Sequence, residues 1–260
     1  MKLQNQALAI DKLKDCAERD IHSIAISGGV GYGKTFLASQ YASFLGIKNF
    51  HIVEPKVADI RDLLNNTAEV SERMVVCIEN LDTGVLASAY ALLKFIEEPM
   101  PNIYIVVTYR NRESVPDTIL SRCSIVSIGN PSKEDLLAYV KHRYPNDSLD
   151  IIRSDLYEMI ASYSDIVKLA TLSEEQKFYI SNIYKSINFN YSVDKIVWGV
   201  THFADNTQTP VTLVLLSLLR YTPNRHNRKL IIDSIDEISK GRIAQHAILS
   251  KLFLSLKYAM

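Results

Sequence analysis

One short segment constrains this chain more than any other feature: the residues from Gly28 to Thr35, which read GGVGYGKT. The apolar stretch SIAIS precedes them and apolar residues at helical spacing follow, which predicts a strand, a glycine turn and a helix that begins at Lys34. Glycines permit backbone angles that turn successive N–H groups toward one point, where the helix dipole favours a phosphate group. Because the segment fits GxxxxGK[ST] in its required context, it predicts a nucleotide site.

Two residues of this segment carry distinct chemistry. Lys34 is expected to meet the β and γ phosphates, and the hydroxyl of Thr35 is expected to ligate Mg²⁺. The remaining candidate phosphate ligands are the loop residues Gly28, Gly29, Val30, Gly31, Tyr32 and Gly33. The expected cofactors are therefore ATP and Mg²⁺.

Strand and helix signals alternate through the first half of the chain. Strands are predicted at 23–27, 49–53, 74–78 and 103–108, and helices at 57–64 and 85–96. The helix that begins at Lys34 should end at Gly46. Such alternation is typical of a mostly parallel sheet with helices on both faces.

Strand signals vanish after Gly129. Ser132 and Asp135 form a weak capping box for a new helix, and residues 132–260 have helical patterns throughout. The predicted fold class is therefore an α/β P-loop domain with a parallel sheet, followed by two all-α domains. We divide the chain into residues 1–129, 130–187 and 188–260.

Composition excludes several classes of protein. With 47% hydrophobic and 22% charged residues the chain is globular, and its longest apolar run, 211–219, is short of the ~20 residues that cross a bilayer. The 29 Lys and Arg residues balance 29 Asp and Glu residues, so any nucleic-acid surface must be a local patch. Three distant cysteines argue against a zinc module and favour a reducing cytoplasm, as does an N-terminal segment without signal-peptide character.

The predicted strand at 74–78 ends in Glu79 and Asn80. ATPases with this type of loop keep an Asp there for Mg²⁺, and often a Glu that polarises the attacking water. Glu79 can still hold the metal through water, although its extra methylene displaces the carboxylate. Asn80 can orient a water but cannot accept its proton, so weak or absent intrinsic hydrolysis is expected.

Three further stretches go beyond a generic phosphate loop: FHIVEP with IRDL at 50–55 and 60–63, ALLKFIEEP at 91–99, and PDTILSRC at 116–123. With them the chain resembles a clamp-loader subunit of the AAA+ superfamily, of the delta-prime and gamma type of bacterial DNA polymerase III, and is similar to the small subunits of replication factor C. The match is dense from about residue 20 to 129. Beyond that, the helical character and a final helix at 242–256 resemble the lid and the collar of that family.

The resemblance implies a function in DNA replication. Five such subunits would form an assembly that binds Mg-ATP at subunit interfaces, opens a sliding clamp and leaves it on primed DNA. The arginine of the SRC motif, Arg122, would reach the γ-phosphate held by the neighbouring subunit, so a lone chain would be nearly inactive.

Further residue roles follow from the same resemblance. Glu79 falls on the metal-binding Asp of the family, and Asn80 on its catalytic Glu. Arg110 falls on the sensor position after the next strand, where an arginine is more typical of delta-prime chains. Lys168 falls at the position of the lid arginine that touches the phosphates, and Arg61 is the candidate for a DNA backbone contact.

Purely structural interpretations stay open for the charged residues. Arg122 could form a surface salt bridge, Lys168 could be a solvated helix lysine, and Arg61 could pair with a neighbouring carboxylate such as Glu54 or Asp62. Alternatives for the whole chain are a full motor subunit, a helicase-loader ATPase and an autonomous P-loop kinase. The compact length and the missing zinc cysteines of many bacterial relatives are consistent with a virus-encoded protein in the host cytoplasm.

Overall fold

The computed structural model describes residues 3–67, 72–147, 160–174, 225–240 and 245–258, together with Lys177, Leu215 and Leu219. The chain divides into two compact units. The first unit comprises Met1–Tyr139 with Ser162–Ser164, and the second comprises Val140–Ala161 with Asp165–Met260. The predicted boundary at residue 188 lies outside the described residues, so the three-domain division stays a prediction.

Five short apolar segments of the first unit form one parallel sheet. The strands are β1 (Ser23–Ser27), β2 (Asn49–Val53), β3 (Met74–Ile78), β4 (Ile103–Tyr109) and β5 (Ser124–Ser127). Their order is β2-β3-β4-β1-β5, and every pairing is parallel. The four predicted strands are confirmed, and β5 is a strand that the sequence pattern did not predict.

Helices connect the strands, as the parallel pairing requires. The described helices are α1 (Gln4–Glu18), α2 (Lys34–Phe44), α3 (Val57–Thr67), α4 (Leu86–Glu97), α5 (Asp117–Leu120), α6 (Lys133–Arg143), α7 (Tyr163–Thr171), α8 (Arg225–Lys240) and α9 (Gln245–Tyr258). Gly46, at a φ of 70°, follows the last turn of α2 as predicted.

The sheet is buried on both faces because alternate residues of each strand point to opposite sides. On one face Ile24, Val75 and Tyr104 pack against α1 and α2, which contribute Leu13 and Leu37. On the other face the sheet packs against α4 and α5 through Val76, Ile105, Leu92 and Ile119. Each fully buried side chain of this size contributes about 1.5–3 kcal/mol to the stability of the fold. This core therefore holds the strands, and the polar residues that follow them, in fixed positions.

One carboxylate joins the start of the chain to the end of the sheet domain. Asp135 and Ser132 form the predicted capping box, in which the Asp135 amide donates to Ser132 Oγ at 3.0 Å and the Ser132 amide donates to Asp135 Oδ2 at 3.1 Å. The same carboxylate accepts from the amide of Gln4 at 2.5 Å, at the first turn of α1. Asp135 therefore caps two helices at once.

The described part of the second unit is helical. The long helices α8 and α9 pack on one another and bury residues such as Ile231, Ile238, Ile248 and Leu252. The predicted final helix at 242–256 is observed as Gln245–Tyr258. No described helix is long and apolar enough to cross a membrane.

Candidate nucleotide site

The candidate site lies at the carboxyl edge of the sheet. Gly28 follows β1, Glu79 follows β3 and Arg110 follows β4, which lies between those two strands. Parallel strands bring their carboxyl ends to one edge, so residues far apart in sequence meet there. The glycine segment from Gly28 onward connects this edge to the first turn of α2.

The glycine segment adopts backbone angles that other residues rarely take. Gly31 has a φ of 74° and Gly33 has a φ of 90°, both in the left-handed region. A Cβ atom on Gly31 would also overlap the hydroxyl groups of Ser162 and Ser164, and one on Gly33 would lie 2.7 Å from Gln6 Nε2. Both positions therefore require glycine for conformation and for space.

Residues distant in sequence support this loop from outside. The Gln6 side chain, which is buried, donates from Nε2 to the carbonyl of Tyr32 at 2.9 Å. The amide of Tyr163 donates to the carbonyl of Gly31 at 3.1 Å, and the Tyr163 hydroxyl donates to Asn5 Oδ1 at 2.6 Å. The sequence analysis missed these supports, because no local motif marks them.

The side chain of Lys34 is folded onto its own loop. Its Nζ donates to the carbonyl of Gly28 at 3.0 Å and to that of Gly29 at 2.9 Å, and the residue is only 7% exposed. Burial lowers the pKa of Lys34, the nearby charge of Arg110 lowers it further, and the carboxylates of Asp82 and Glu79 act in the opposite direction. The ammonium group of Lys34 is thus desolvated and lies near a second cation. The negative charge of a bound phosphate would stabilise it.

Thr35 and Glu79, the two residues with a predicted metal role, are in direct contact. The Thr35 hydroxyl donates to Glu79 Oε1. A hydroxyl and a carboxylate at the end of a strand are oxygen ligands of the kind that Mg²⁺ prefers, directly or through water. In the part of the chain that the structure describes, no group of three or more His, Cys, Asp or Glu residues could hold a metal by itself.

Asn80 lies beside Glu79 in the left-handed region, with a φ of 50° and a ψ of 52°. Its amide donates to Thr108 Oγ1 at 2.9 Å, and its carbonyl accepts from the amide of Thr83 at 2.8 Å. Asparagine tolerates this conformation better than most residues. An open cleft of about 570 Å³ adjoins Glu79 and Asn80 and reaches Val57, the first residue of α3.

Arg110 is tied to Asp82, an acidic residue to which the sequence analysis gave no role. Arg110 Nε donates to Asp82 Oδ2 at 3.2 Å, and the amide of Asn111 donates to the same oxygen at 3.3 Å. The Asp82 side chain is 4% exposed, whereas that of Arg110 is 41% exposed. Its position three residues after Glu79 is the signal that could have identified Asp82.

These residues fit a Mg²⁺–nucleotide complex on two observations. Gly31 and Gly33 adopt the left-handed backbone angles of a loop that can turn its amides toward a phosphate. The Oδ1 atom of Asp82 is buried, and it has no hydrogen-bond partner among the described residues. Lys34 and the loop amides would hold phosphates, and Thr35 with Glu79 would hold the metal.

The other predicted site residues lie away from this cluster or in the second unit. Arg122 follows α5, pairs through Nε with Glu97 Oε1 at 2.9 Å and donates from Nη1 to the carbonyl of Thr118 at 2.9 Å. Arg61 is exposed on α3 and forms no ion pair with a described residue, since Glu54 pairs with Lys56 at 2.6 Å. Lys168 is exposed on α7, in the second unit. Their predicted roles stay predictions.

The sheet order and the glycine loop define a parallel α/β domain with a P-loop motif between its first strand and the helix that follows. Residues 4–132 match the family described as DNA polymerase III, delta subunit. The delta' subunit of DNA polymerase III from Haemophilus influenzae is 29% identical over 97 residues, which are 37% of this chain and 30% of that protein. The sliding-clamp-loader large subunit of Escherichia phage RB69 is 26% identical over 127 residues, which are 46% of this chain and 40% of that protein.

These matches confirm the resemblance to clamp-loader subunits over the N-terminal half of the chain. The chain spans 40% or less of the length of either relative. A solved structure of a gamma subunit-related protein of DNA polymerase III from Thermotoga maritima has a TM-score of 0.58 and 15% identity, and it covers 96% of this chain and 99% of that chain. At this identity the likeness shows a shared fold.

Proposed function

We propose that this chain is a subunit of a sliding-clamp loader that binds Mg-ATP in the loop from Gly28 to Thr35. The observation that carries the proposal is the Thr35–Glu79 contact beside Lys34, within a loop whose glycines occupy the left-handed region. The loop amides and Lys34 bind the phosphates, while Thr35 and Glu79 orient the metal, which neutralises phosphate charge. The relatives named as a DNA polymerase III subunit and as a sliding-clamp-loader subunit support the assignment to DNA replication.

In the proposed assembly of five subunits, Arg122 acts on the nucleotide of a neighbour. Its side chain is 41% exposed, and its bonds to Glu97 and Thr118 hold the guanidinium close to the end of α4. A trans arginine of this kind adds planar positive charge where phosphoryl transfer develops negative charge, an effect of about 10³ to 10⁵ in rate. The chain thus works in the cytoplasm as an assembly component and a switch, with weak hydrolysis of its own.

Contacts to the clamp and to primed DNA complete the proposed function. Arg61, exposed on α3, is our candidate for a phosphate contact on DNA. Such contacts make binding fall steeply with salt because counterions are released. Lys168 is our candidate for a lid contact to the nucleotide.

Native mass spectrometry of the tagged chain, purified with its natural partners in Mg²⁺ and a slowly hydrolysed ATP analogue, tests the proposal. We expect a five-subunit complex that contains bound nucleotide. Lys34→Met should remove the nucleotide of this subunit, whereas Lys12→Met, at an exposed position on α1, should retain it. A monomer that recruits no partner, or a six-membered ring, would contradict the clamp-loader function.

A further inference from the structure

The Asp82 carboxylate is an anomaly of the nucleotide site. Its side chain is 4% exposed, and both donors that reach it, Arg110 Nε and the Asn111 amide, bind the same oxygen, Oδ2. The other oxygen, Oδ1, is buried and has no hydrogen-bond partner within the described ranges. A buried carboxylate oxygen of this kind ordinarily accepts at least one hydrogen bond.

The anomaly is costly unless something else binds Oδ1. An unsatisfied buried polar group costs roughly 1–3 kcal/mol, and more when the group is charged. The cost is avoidable, because an asparagine would keep the bonds from Arg110 and Asn111 without burying a charge. The ion pair with Arg110 accounts for one oxygen of the carboxylate, and the unpartnered Oδ1 points to a further ligand that needs a negatively charged oxygen.

The position of Asp82 indicates which ligand this is. Asp82 lies in the turn directly after β3, three residues beyond Glu79, at the edge of the sheet where the glycine segment begins after β1. Both carboxylates thus follow the same strand, at the edge of the sheet that carries the proposed nucleotide site. A magnesium ion in a nucleotide site keeps several of its waters, and each of these waters donates hydrogen bonds to nearby oxygens.

We propose that Asp82 Oδ1 accepts a hydrogen bond from a water bound to the Mg²⁺ of the nucleotide complex. Asp82 is then a second acidic residue of the metal site, beside Thr35 and Glu79. This inference rests on the proposed nucleotide site. It places the second negative charge of the site at residue 82, where Arg110 and the Asn111 amide hold the other carboxylate oxygen, Oδ2.

Calorimetric titration of the chain with ADP, in Mg²⁺ and in EDTA, tests the inference without turnover. ADP is used because it lacks the γ-phosphate, so no hydrolysis can take place during the titration. The quantity of interest is the ratio of the Kd in EDTA to the Kd in Mg²⁺. Loss of an outer-sphere partner typically weakens metal affinity by about 10- to 100-fold, so Asp82→Asn should reduce this ratio by about that factor.

A double variant separates metal binding from simple charge balance. Asp82→Asn with Arg110→Gln removes one negative and one positive charge, so it restores the net charge of the site. If Asp82 only neutralises Arg110, the double variant regains the wild-type ratio, and that result would overturn the inference. A ratio that stays low in the double variant supports the hydrogen bond to metal-bound water, and this variant also avoids leaving Arg110 without a counter-ion.

The same titration distinguishes the two proposals. If the wild-type chain binds no ADP under either condition, the proposed nucleotide site is wrong and the role of Asp82 is wrong with it. If the wild-type chain binds ADP tightly in Mg²⁺ and Asp82→Asn leaves the ratio unchanged, the nucleotide site stands and only the role of Asp82 is wrong.

Discussion

Replacing Asn80 by Glu tests the chemistry and the backbone of the site together. The substitution restores the acid that related ATPases use to accept a proton from the attacking water, and a positioned general base contributes typically ~10²–10⁴-fold to a rate. Asn80 lies in the left-handed region, at a φ of 50°. Since the new carboxylate starts from this unusual backbone, we expect a rise at the lower end, about 10²-fold.

The same substitution should destabilise the folded chain. The left-handed conformation costs roughly 1–2 kcal/mol for an ordinary residue, and asparagine avoids part of that cost because its short polar side chain bonds locally. The difference for Glu is therefore about 1 kcal/mol, which lowers the Tm of a domain of this size by about 2–4 °C. Replacing Asn80 by Gly should leave the Tm close to that of the wild type, because glycine adopts these angles without strain.

The assays are ATP turnover in the complex purified with natural partners and thermal unfolding of the isolated chain. Asn80→Gln is the matched control, since it has the length and the backbone strain of Glu without a carboxylate. It should lose the same stability and show no rise in turnover. An equal turnover in the Glu and Gln variants would refute our account of the missing base, and a Glu variant as stable as the Gly variant would refute the strain argument.

Three further substitutions or treatments probe the supports of the site. Gly31→Ala should lower the free energy of unfolding by about 2 kcal/mol and abolish nucleotide binding, because φ at this position is 74° and the new Cβ would overlap two serine hydroxyls. In the control Gly129→Ala the new Cβ meets no described atom within 4 Å, so this variant should have the Tm of the wild type. Asp135→Ala should lower the free energy of unfolding, measured by chemical denaturation, by about 2 kcal/mol because two helices lose a cap. The control is Glu134→Ala at an exposed position, which should stay within about 0.5 kcal/mol of the wild type. Burial raises the pKa of the Cys77 thiol to about 12 in the folded chain. The contribution of this thiol to the free energy of unfolding is therefore retained below about pH 8.5 and falls as the pH rises toward 12. Alkylation of Cys77 at pH 8 should be at least about 10²-fold slower in the native protein than in denaturant. Rapid labelling of the native protein would contradict that reasoning.

Local signals in the sequence predicted the strands and the glycine loop because near neighbours determine them. The predicted strands at 23–27, 49–53 and 74–78 have the bounds that the structure gives. The strand β5 was missed for a physical reason: of its four residues only Val126 is buried, so it has no apolar run. Its pairing with β1 compensates for its weak pattern.

Tertiary contacts account for the part of the site that the sequence did not predict. Gln6 and Tyr163 support the loop from positions with no motif, and only the folded chain brings them to Tyr32 and Gly31. The chemistry of Asn80 was predictable from its residue type, but its left-handed backbone was not.

The hydrogen-bond partners of Lys34 and Arg110 indicate how the site could bind phosphate without a large energetic penalty. Lys34 donates to two neutral carbonyls, not to a carboxylate, so an incoming phosphate displaces two weak partners and breaks no ion pair. Its pKa is already lowered by burial and by Arg110, and a bound phosphate would raise it again by supplying the missing negative charge. Arg110 differs, because it forms an ion pair with the buried carboxylate of Asp82. We therefore expect Lys34 to exchange its carbonyl partners for a phosphate at little cost, whereas Arg110 would have to give up or share its ion pair with Asp82 to do the same.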